Sequence, residues 1–398
     1  MKLTLLLDLD DTLIESNMQN FIPAYFQALS GYLKDFIEPG KMVQALLGGT
    51  KKMMEKIDPE RFLCDVFDEN FYPMIGVDRS FLRPRIDQFY DEIFPDLKDL
   101  TKQLPAAIDF VNWAISDDIR VVIATNPLFP SKAIHHRLRW AGVAPEEYPY
   151  AYVTNYENSH FTKENIAYFP EIMGHLGWPD DPVVMIGNDL KMDIEPAMAA
   201  GFPVFWVHNS VVGSQEREEI PQGNIDDVRA WLESGILESL QHSTQKPSAV
   251  LATLRSTPAV LEGLFSDLSV ETMGSRIDPQ EWSITEVICH LRDVEIEVNL
   301  PRIQKVLSQE NSFVAGISTD PWVLERNYAN QSGTEALQEF IKARKRTLDE
   351  LDHLHSEWEK SLRHSIFGSS NLLELVNVIV GHDKAHIQQI HHVKNHLR

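Results

Sequence analysis

The residues best equipped for chemistry stand near the start of the chain. Asp8-Leu9-Asp10-Asp11-Thr12-Leu13 directly follows an apolar run at 3–7 (LTLLL). Side chains alternate along a strand, but past its end the backbone turns, so Asp8 and Asp10 can share one site. Two carboxylates suit phosphoryl transfer. One attacks phosphorus, and the other protonates the leaving oxygen and later activates water. A Mg²⁺ ion would offset the repulsion between carboxylate and phosphate. Three further groups follow along the chain. Thr125 and Asn126 come after VVIA (121–124), where a hydroxyl and backbone N–H groups can hold phosphate oxygens. Lys163, in HFTKENIAYF, offers a point charge that would stabilise nucleophile and transition state, with Lys132 as a competing lysine. The stretch GNDLKMD (187–193), after VVMI, offers hard oxygen ligands for Mg²⁺ in Asn188, Asp189 and Asp193.

A second cluster lies at the other end. His382 and His386 are four residues apart and so share one helix face, a spacing that can chelate a metal. His290, flanked by Val287, Ile288 and Leu291, sits toward the apolar side of another expected helix and supplies a third ligand. Three histidines in a bundle core would leave an open position for water or a thiolate. His391, His392 and His396 read instead as polar groups suited to a helix C-terminus. Asp383 and Glu286 are candidates for outer partners of the metal ligands.

These groups need elements to position them. The runs at 3–7, 121–124, 183–186 and 204–207 are short, β-branched or aromatic-rich, and read as buried parallel strands separated by helical stretches. The pattern predicts a doubly wound α/β sheet, whose active site forms at the carboxyl ends of the strands. More than a crossover's length separates the first two strands, so residues 17–103 read as an inserted helical subdomain. Polar residues at 236–247 suggest a linker between a domain at 1–235 and one at 248–398. Beyond it, helical patterns at 247–266, 283–309, 334–354 and 371–397 predict a four-helix bundle, with Ser283, Thr334 and Asn371 as N-caps.

Composition narrows the function classes. Against 36 Lys and Arg stand 59 Asp and Glu, a net charge of −23 that repels nucleic acid and anionic lipid. We therefore expect neither nucleic acid nor membrane as partner, and a small phosphorylated molecule as substrate; monomer and dimer both stay open. Two cysteines far apart, Cys64 and Cys289, and no signal peptide fit a cytoplasmic protein.

The four N-terminal elements, in their order, resemble the haloacid dehalogenase superfamily over residues 1–235. The resemblance implies that Asp8 forms an aspartyl-phosphate, Asp10 is the general acid/base, and Thr125 and Lys163 bind phosphate. It also implies Mg²⁺ held by Asp8, the Asp10 carbonyl and the fourth motif, under a helical cap at 17–103. Two positions depart from the family pattern: Asn188 replaces an aspartate, and Glu164 a proline. Residues 247–398 resemble the DinB-like four-helix metal proteins, through Trp282-Ser283, His290-Leu291, His382-Asp383-Lys384-Ala385-His386 and Gln388-Gln389-Ile390. That resemblance implies a divalent metal, often Zn²⁺ or Ni²⁺, on His290, His382 and His386. The expectation is thus a Mg²⁺-dependent phosphatase fused to a metal-binding bundle. The alternative is a metal-dependent thiol transferase carrying an auxiliary phosphate-binding module.

Overall fold

The computed structural model describes residues 2–208 and 219–397, which divide into two compact units. The first comprises Met1–Ile57, Arg61–Tyr168 and Asp181–His242; the second comprises Asp58–Glu60, Phe169–Asp180 and Ser243–Arg398.

In the first unit, strand β1 (Thr4–Leu7) leads through a tight loop to β2 (Ile14–Glu15), which pairs antiparallel with β3 (Lys102–Gln103). Between β2 and β3 lie the inserted helices α1 (Met18–Tyr32), α2 (Pro39–Met54), α3 (Leu63–Ile75) and α4 (Arg79–Glu92), then a 3₁₀ segment. The two-residue ribbon thus closes the insertion at both ends. Phe21, Phe71, Phe89 and Phe94 are fully buried in its core. Helix α5 (Pro105–Ser116) then precedes β4 (Arg120–Ile123), and α6 (Ser131–Ala141) precedes β5 (Tyr152–Val153). Helix α7 (Tyr168–His175), which apart from Tyr168 belongs to the second unit, comes before β6 (Val183–Gly187) in the chain, and α8 (Glu195–Ala199) precedes β7 (Val204–Val207). Strand β8 (Gln222–Gly223) and α9 (Ile225–Glu233) follow.

Six of the described strands form one parallel sheet in the order β5-β4-β1-β6-β7-β8. Every residue of β1 is buried, as in a strand covered on both faces, and this is why its sequence reads as an unbroken apolar run. Register does the rest. Leu7 lies level with Ile123 on one side and Ile186 on the other, so Asp8, Thr125 and Asn188 emerge at the same edge.

The second unit holds α10 (Pro247–Phe265), a short α11 (Val270–Gly274) and α12 (Ile284–Val294). A π-helical turn, Glu295–Asn299, carries α12 into α13 (Leu300–Ser308). Pro301 lacks an N–H, so one i→i−4 bond is missing there, which favours such a local widening. A short α14 (Trp322–Glu325), α15 (Gly333–Leu351) and α16 (Leu372–Leu397) complete the helices. Ser283 and Glu286 form a capping box, and Asn371 accepts from the Glu374 amide at 2.9 Å. The third long helix is capped by Ser332 rather than Thr334, because its first helical residue is Gly333, two residues earlier than a Thr334 cap would place it. A small sheet of β9 (Ser312–Val314), β10 (Ser361–His364) and β11 (Gly368–Asn371) also belongs to this unit. Its strands are short and serine-rich, and no hydrophobic alternation announces them.

Candidate functional site

Asp8 is the first residue past β1 and is nearly buried. Its Oδ1 accepts from Lys163 Nζ at 2.6 Å, and the same ammonium reaches Asp193 Oδ1 at 2.6 Å. Lys163 therefore bridges the loops after β1 and β6. Burial opposes its charge, but Asp193 and Asp8 outweigh that and hold its pKa above the ordinary lysine value. For Asp193, burial and the like charge of Asp8 push the pKa up to about 7, against the pull of Lys163. The Thr12 hydroxyl lies 3.1 Å from Asp8 Oδ2 and 3.2 Å from Asn188 Oδ1, so these two oxygens converge on one point. Close packing brings Asp193 here: a Cβ on Gly187 would meet its carboxylate at 2.3 Å. Asp189 plays a local part, its Oδ1 accepting from the amides of Lys191 and Met192.

The remaining sequence-nominated residues line the same cavity, of about 750 Å³. Thr125 is buried there, and its carbonyl accepts from Thr154 and Tyr168 hydroxyls at 2.7 and 2.8 Å. Asn126 accepts from the Lys163 amide at 3.2 Å and so orients the lysine loop. Lys132 instead pairs with exposed Asp91 on α4 at 2.6 Å.

Beside this cavity, one residue escaped sequence reasoning. Arg137 of α6 is almost wholly buried and grips both oxygens of Asp10, with Ser16 Oγ donating to Oδ1 at 2.6 Å. Its signal was positional. Arg137 falls on the apolar face of α6 with Ile134, Leu138 and Ala141, where a charged side chain requires a buried counter-ion.

The inserted helices enclose a second cavity, of about 260 Å³, walled by Phe26, Leu46, Phe71 and Tyr90; Leu128 and Phe129 line both cavities. Its polar side chains are spent on neighbours: Arg83 donates to the Tyr156 hydroxyl at 3.1 Å, and Arg79 to Asp68 at 2.7 Å.

In the second unit the three nominated histidines meet. His382 Nε2 lies 3.1 Å from His290 Nε2 and 3.2 Å from His386 Nε2. Nitrogens about 2.0–2.1 Å from one tetrahedral ion would stand at similar separations. His386 Nδ1 is 3.0 Å from Gln389 Oε1, which places its proton on Nδ1 and leaves the Nε2 lone pair inward. Burial and the neighbouring imidazoles pull His290 down to about 4 and His382 to about 2, and burial also lowers His386. All three are thus neutral at pH 7, as ligands must be. The Trp282 ring stacks on His386 at 5.9 Å. His392 and His396 instead pair with each other.

Behind the triad lies a closed charge network. Fully buried Arg344 donates from Nε to Glu295 at 2.9 Å and from a terminal nitrogen to Asp383 at 2.5 Å. Thr347 and Asn299 donate to Glu295, and Thr257 to Asp383. Glu286 is held by Ser283 and Arg276. Neither Asp383 nor Glu286 has a hydrogen bond to a triad imidazole among the described residues.

Residues 253–390 match the family model of the DinB superfamily. The second unit is therefore similar to DinB superfamily proteins over those residues, and the first carries the parallel sheet and aspartate loops expected from its resemblance to the haloacid dehalogenase superfamily. No curated protein matches the chain. Similar solved structures include a phosphatase of the haloacid dehalogenase type from Thermococcus onnurineus (14% identity, 61% of this chain and 100% of that one, TM-score 0.38). A 2-haloacid dehalogenase from Pseudomonas syringae pv. Tomato is 16% identical over 58% of this chain and 98% of that one, with TM-score 0.42. YfiT from Bacillus subtilis, described as a probable metal-dependent hydrolase with an unusual four-helix bundle topology, is 16% identical over 38% of this chain and 88% of that one, with TM-score 0.35. Among the described residues of either unit, no helix is long and apolar enough to cross a membrane.

Proposed function

We propose that the haloacid dehalogenase-like unit is a Mg²⁺-dependent phosphatase acting through an aspartyl-phosphate on Asp8. The observation that carries this reading is Lys163 bridging Asp8 and Asp193 at the carboxyl edge of the sheet. The donor set suits a divalent cation. Six carboxylates (Asp8, Asp10, Asp11, Glu15, Asp189 and Asp193) line the cavity, with Lys163 the one cationic side chain among the described lining residues. A phosphate dianion needs added positive charge to enter such a pocket. Asp8 Oδ2 and Asn188 Oδ1, converging as they do, would hold the ion, with the Asp10 carbonyl and Asp189 as further oxygens. When bound, it would neutralise phosphate charge and polarise the phosphorus.

The protein's own groups then divide the work. An Asp8 oxygen forms the bond to phosphorus as the bond to the leaving oxygen breaks. Lys163 holds the Asp8 carboxyl by a direct hydrogen bond and meets the charge that develops on the phosphoryl oxygens, with Thr125 beside it. Asp10 is gripped as a carboxylate by Arg137, which suits it to the second half: it takes a proton from the water that attacks the acyl phosphate. With that proton not yet on Asp10, the first half favours leaving groups that depart without much protonation. The aromatic-walled cavity under the inserted helices supports the same preference, for a phosphate monoester with an apolar, aromatic-sized leaving group. The test compares aryl and sugar phosphates. Aryl esters should react at least about tenfold faster in kcat/KM, a difference of about 1.4 kcal/mol; equal rates, or a preference for sugars, would count against the proposed specificity.

In the DinB-like unit, His290, His382 and His386 would hold one divalent transition metal such as Zn²⁺ or Ni²⁺, leaving a position for water or a thiolate. Metal analysis of the purified chain should find about one such ion per chain by the same coordination logic, and His386→Ala should lose it. No stoichiometric metal in the wild type would refute this half of the reading.

A further inference from the structure

A cavity of about 170 Å³ lies in the DinB-like unit, and His382 lines it. Its wall is largely aliphatic, with Val298 from the π-helical turn and Ile379 from α16. Its polar lining residues are Asn299, Arg302, Thr319, His364 and His382, and the Asn299 amide already donates to Glu295 at 2.9 Å. Arg302, on α13, is partly buried, and its recorded hydrogen bond runs to the Ala315 carbonyl at 2.5 Å. No carboxylate among the described residues pairs with it. His364 accepts on Nδ1 from the Ile366 and Phe367 amides, at 3.2 and 3.4 Å. Its neutral ring therefore carries the proton on Nε2, a donor. Thr319 adds a hydroxyl.

Arg302 contrasts with the other arginine in this core. Arg344 lies between two carboxylates, whereas burial alone acts on Arg302 and lowers its pKa. In a chain of net charge −23, a half-buried guanidinium without an acidic neighbour is an anion site in waiting. The volume is below the roughly 300–1,000 Å³ of pockets for drug-sized ligands, so the occupant is small.

We propose that this cavity binds a small aliphatic carboxylic acid, its carboxylate on Arg302, its body against Val298 and Ile379, and its far end directed to His382. The far end rests on the metal reading of the triad; the carboxylate clamp does not. No bond is made or broken in this binding step.

The test is calorimetric titration of the full-length protein with 3-methylbutanoate and with its neutral amide, in zinc-loaded and metal-stripped forms. The acid should bind saturably, and the amide at least tenfold more weakly. Arg302→Met should lose at least tenfold for the acid, with zinc content and unfolding midpoint unchanged, while Arg302→Lys recovers part of the loss. Val298→Phe, which fills the cavity without touching Arg302, should also abolish binding and guards against a misfolded Arg302 variant. If zinc does not load but acid binding still depends on Arg302, the clamp stands and the metal reading falls. Absence of saturable binding in both forms, or equal acid binding by wild type and Arg302→Met, overturns the proposal.

Discussion

In the first unit, six carboxylates line an open cavity against the single ammonium of Lys163, with Arg137 behind Asp10. The second unit meets its buried charge in place: Arg344 sits between Glu295 and Asp383, Thr347, Asn299 and Thr257 add hydrogen bonds to these carboxylates, and the triad in front of that network is neutral. Both arrangements contain buried ion pairs, yet they serve different ends. Lys163, Asp8 and Asp193 form a pocket that gains by binding something. Arg344, Glu295 and Asp383 form a strut, satisfied without any ligand. Each trio sets one cation against two carboxylates, so its meaning lies in its surroundings, hydroxyl and amide donors around Glu295 and Asp383 but four more carboxylates around Asp8 and Asp193, and not in its burial.

That contrast can be broken by mutation. The largest effect expected is on the strut. Arg344→Met leaves two buried carboxylates without their cation, and unfolding measurements should show a loss of about 3–5 kcal/mol. A loss under about 1 kcal/mol would mean the network is not structural in the way described. The next effect sharpens the other side. Asp193→Asn should cut kcat about 100-fold, by about 2.7 kcal/mol of transition-state stabilisation. Stability should hold or rise, because the repulsion between Asp193 and Asp8 is relieved. A large drop in melting temperature would make this pair a strut as well. Arg137→Met releases Asp10 and should narrow the gap between aryl and alkyl phosphates by about tenfold in kcat/KM; an unchanged gap would detach Arg137 from proton transfer. The smallest effect tests a local signal. Ser283→Ala removes a capping-box hydroxyl from the helix that carries His290 and should cost about 1 kcal/mol, read by chemical denaturation.

The sequence revealed the two sites unequally. Asp8, Thr125, Lys163 and the 187–193 stretch were legible because a parallel sheet ends its strands at one edge, and each lies just beyond an apolar run or in the loop that returns to it. His382 and His386 were legible from helical spacing, and His290 from its apolar neighbours. Arg137 was not, since its partner Asp10 is 127 residues away and only the apolar side of α6 betrays it. Arg344 was hidden in the same way: an arginine in a helix rich in Lys, Arg and Glu reads as surface until its burial is known. The π-helical turn at Glu295–Asn299 left only Pro301 as a trace. The β9-β10-β11 sheet has polar strands of three or four residues, too short for period-two alternation to register.

The most direct test of the account is hydrolysis of an aryl phosphate by the full chain, with Mg²⁺ and with chelator, for wild type and Asp8→Asn. Turnover should require Mg²⁺ and fall by about 10³-fold or more in the variant, as loss of a covalent nucleophile should give. Turnover that survives Asp8→Asn, or no wild-type turnover across a broad panel of phosphate esters, would contradict it.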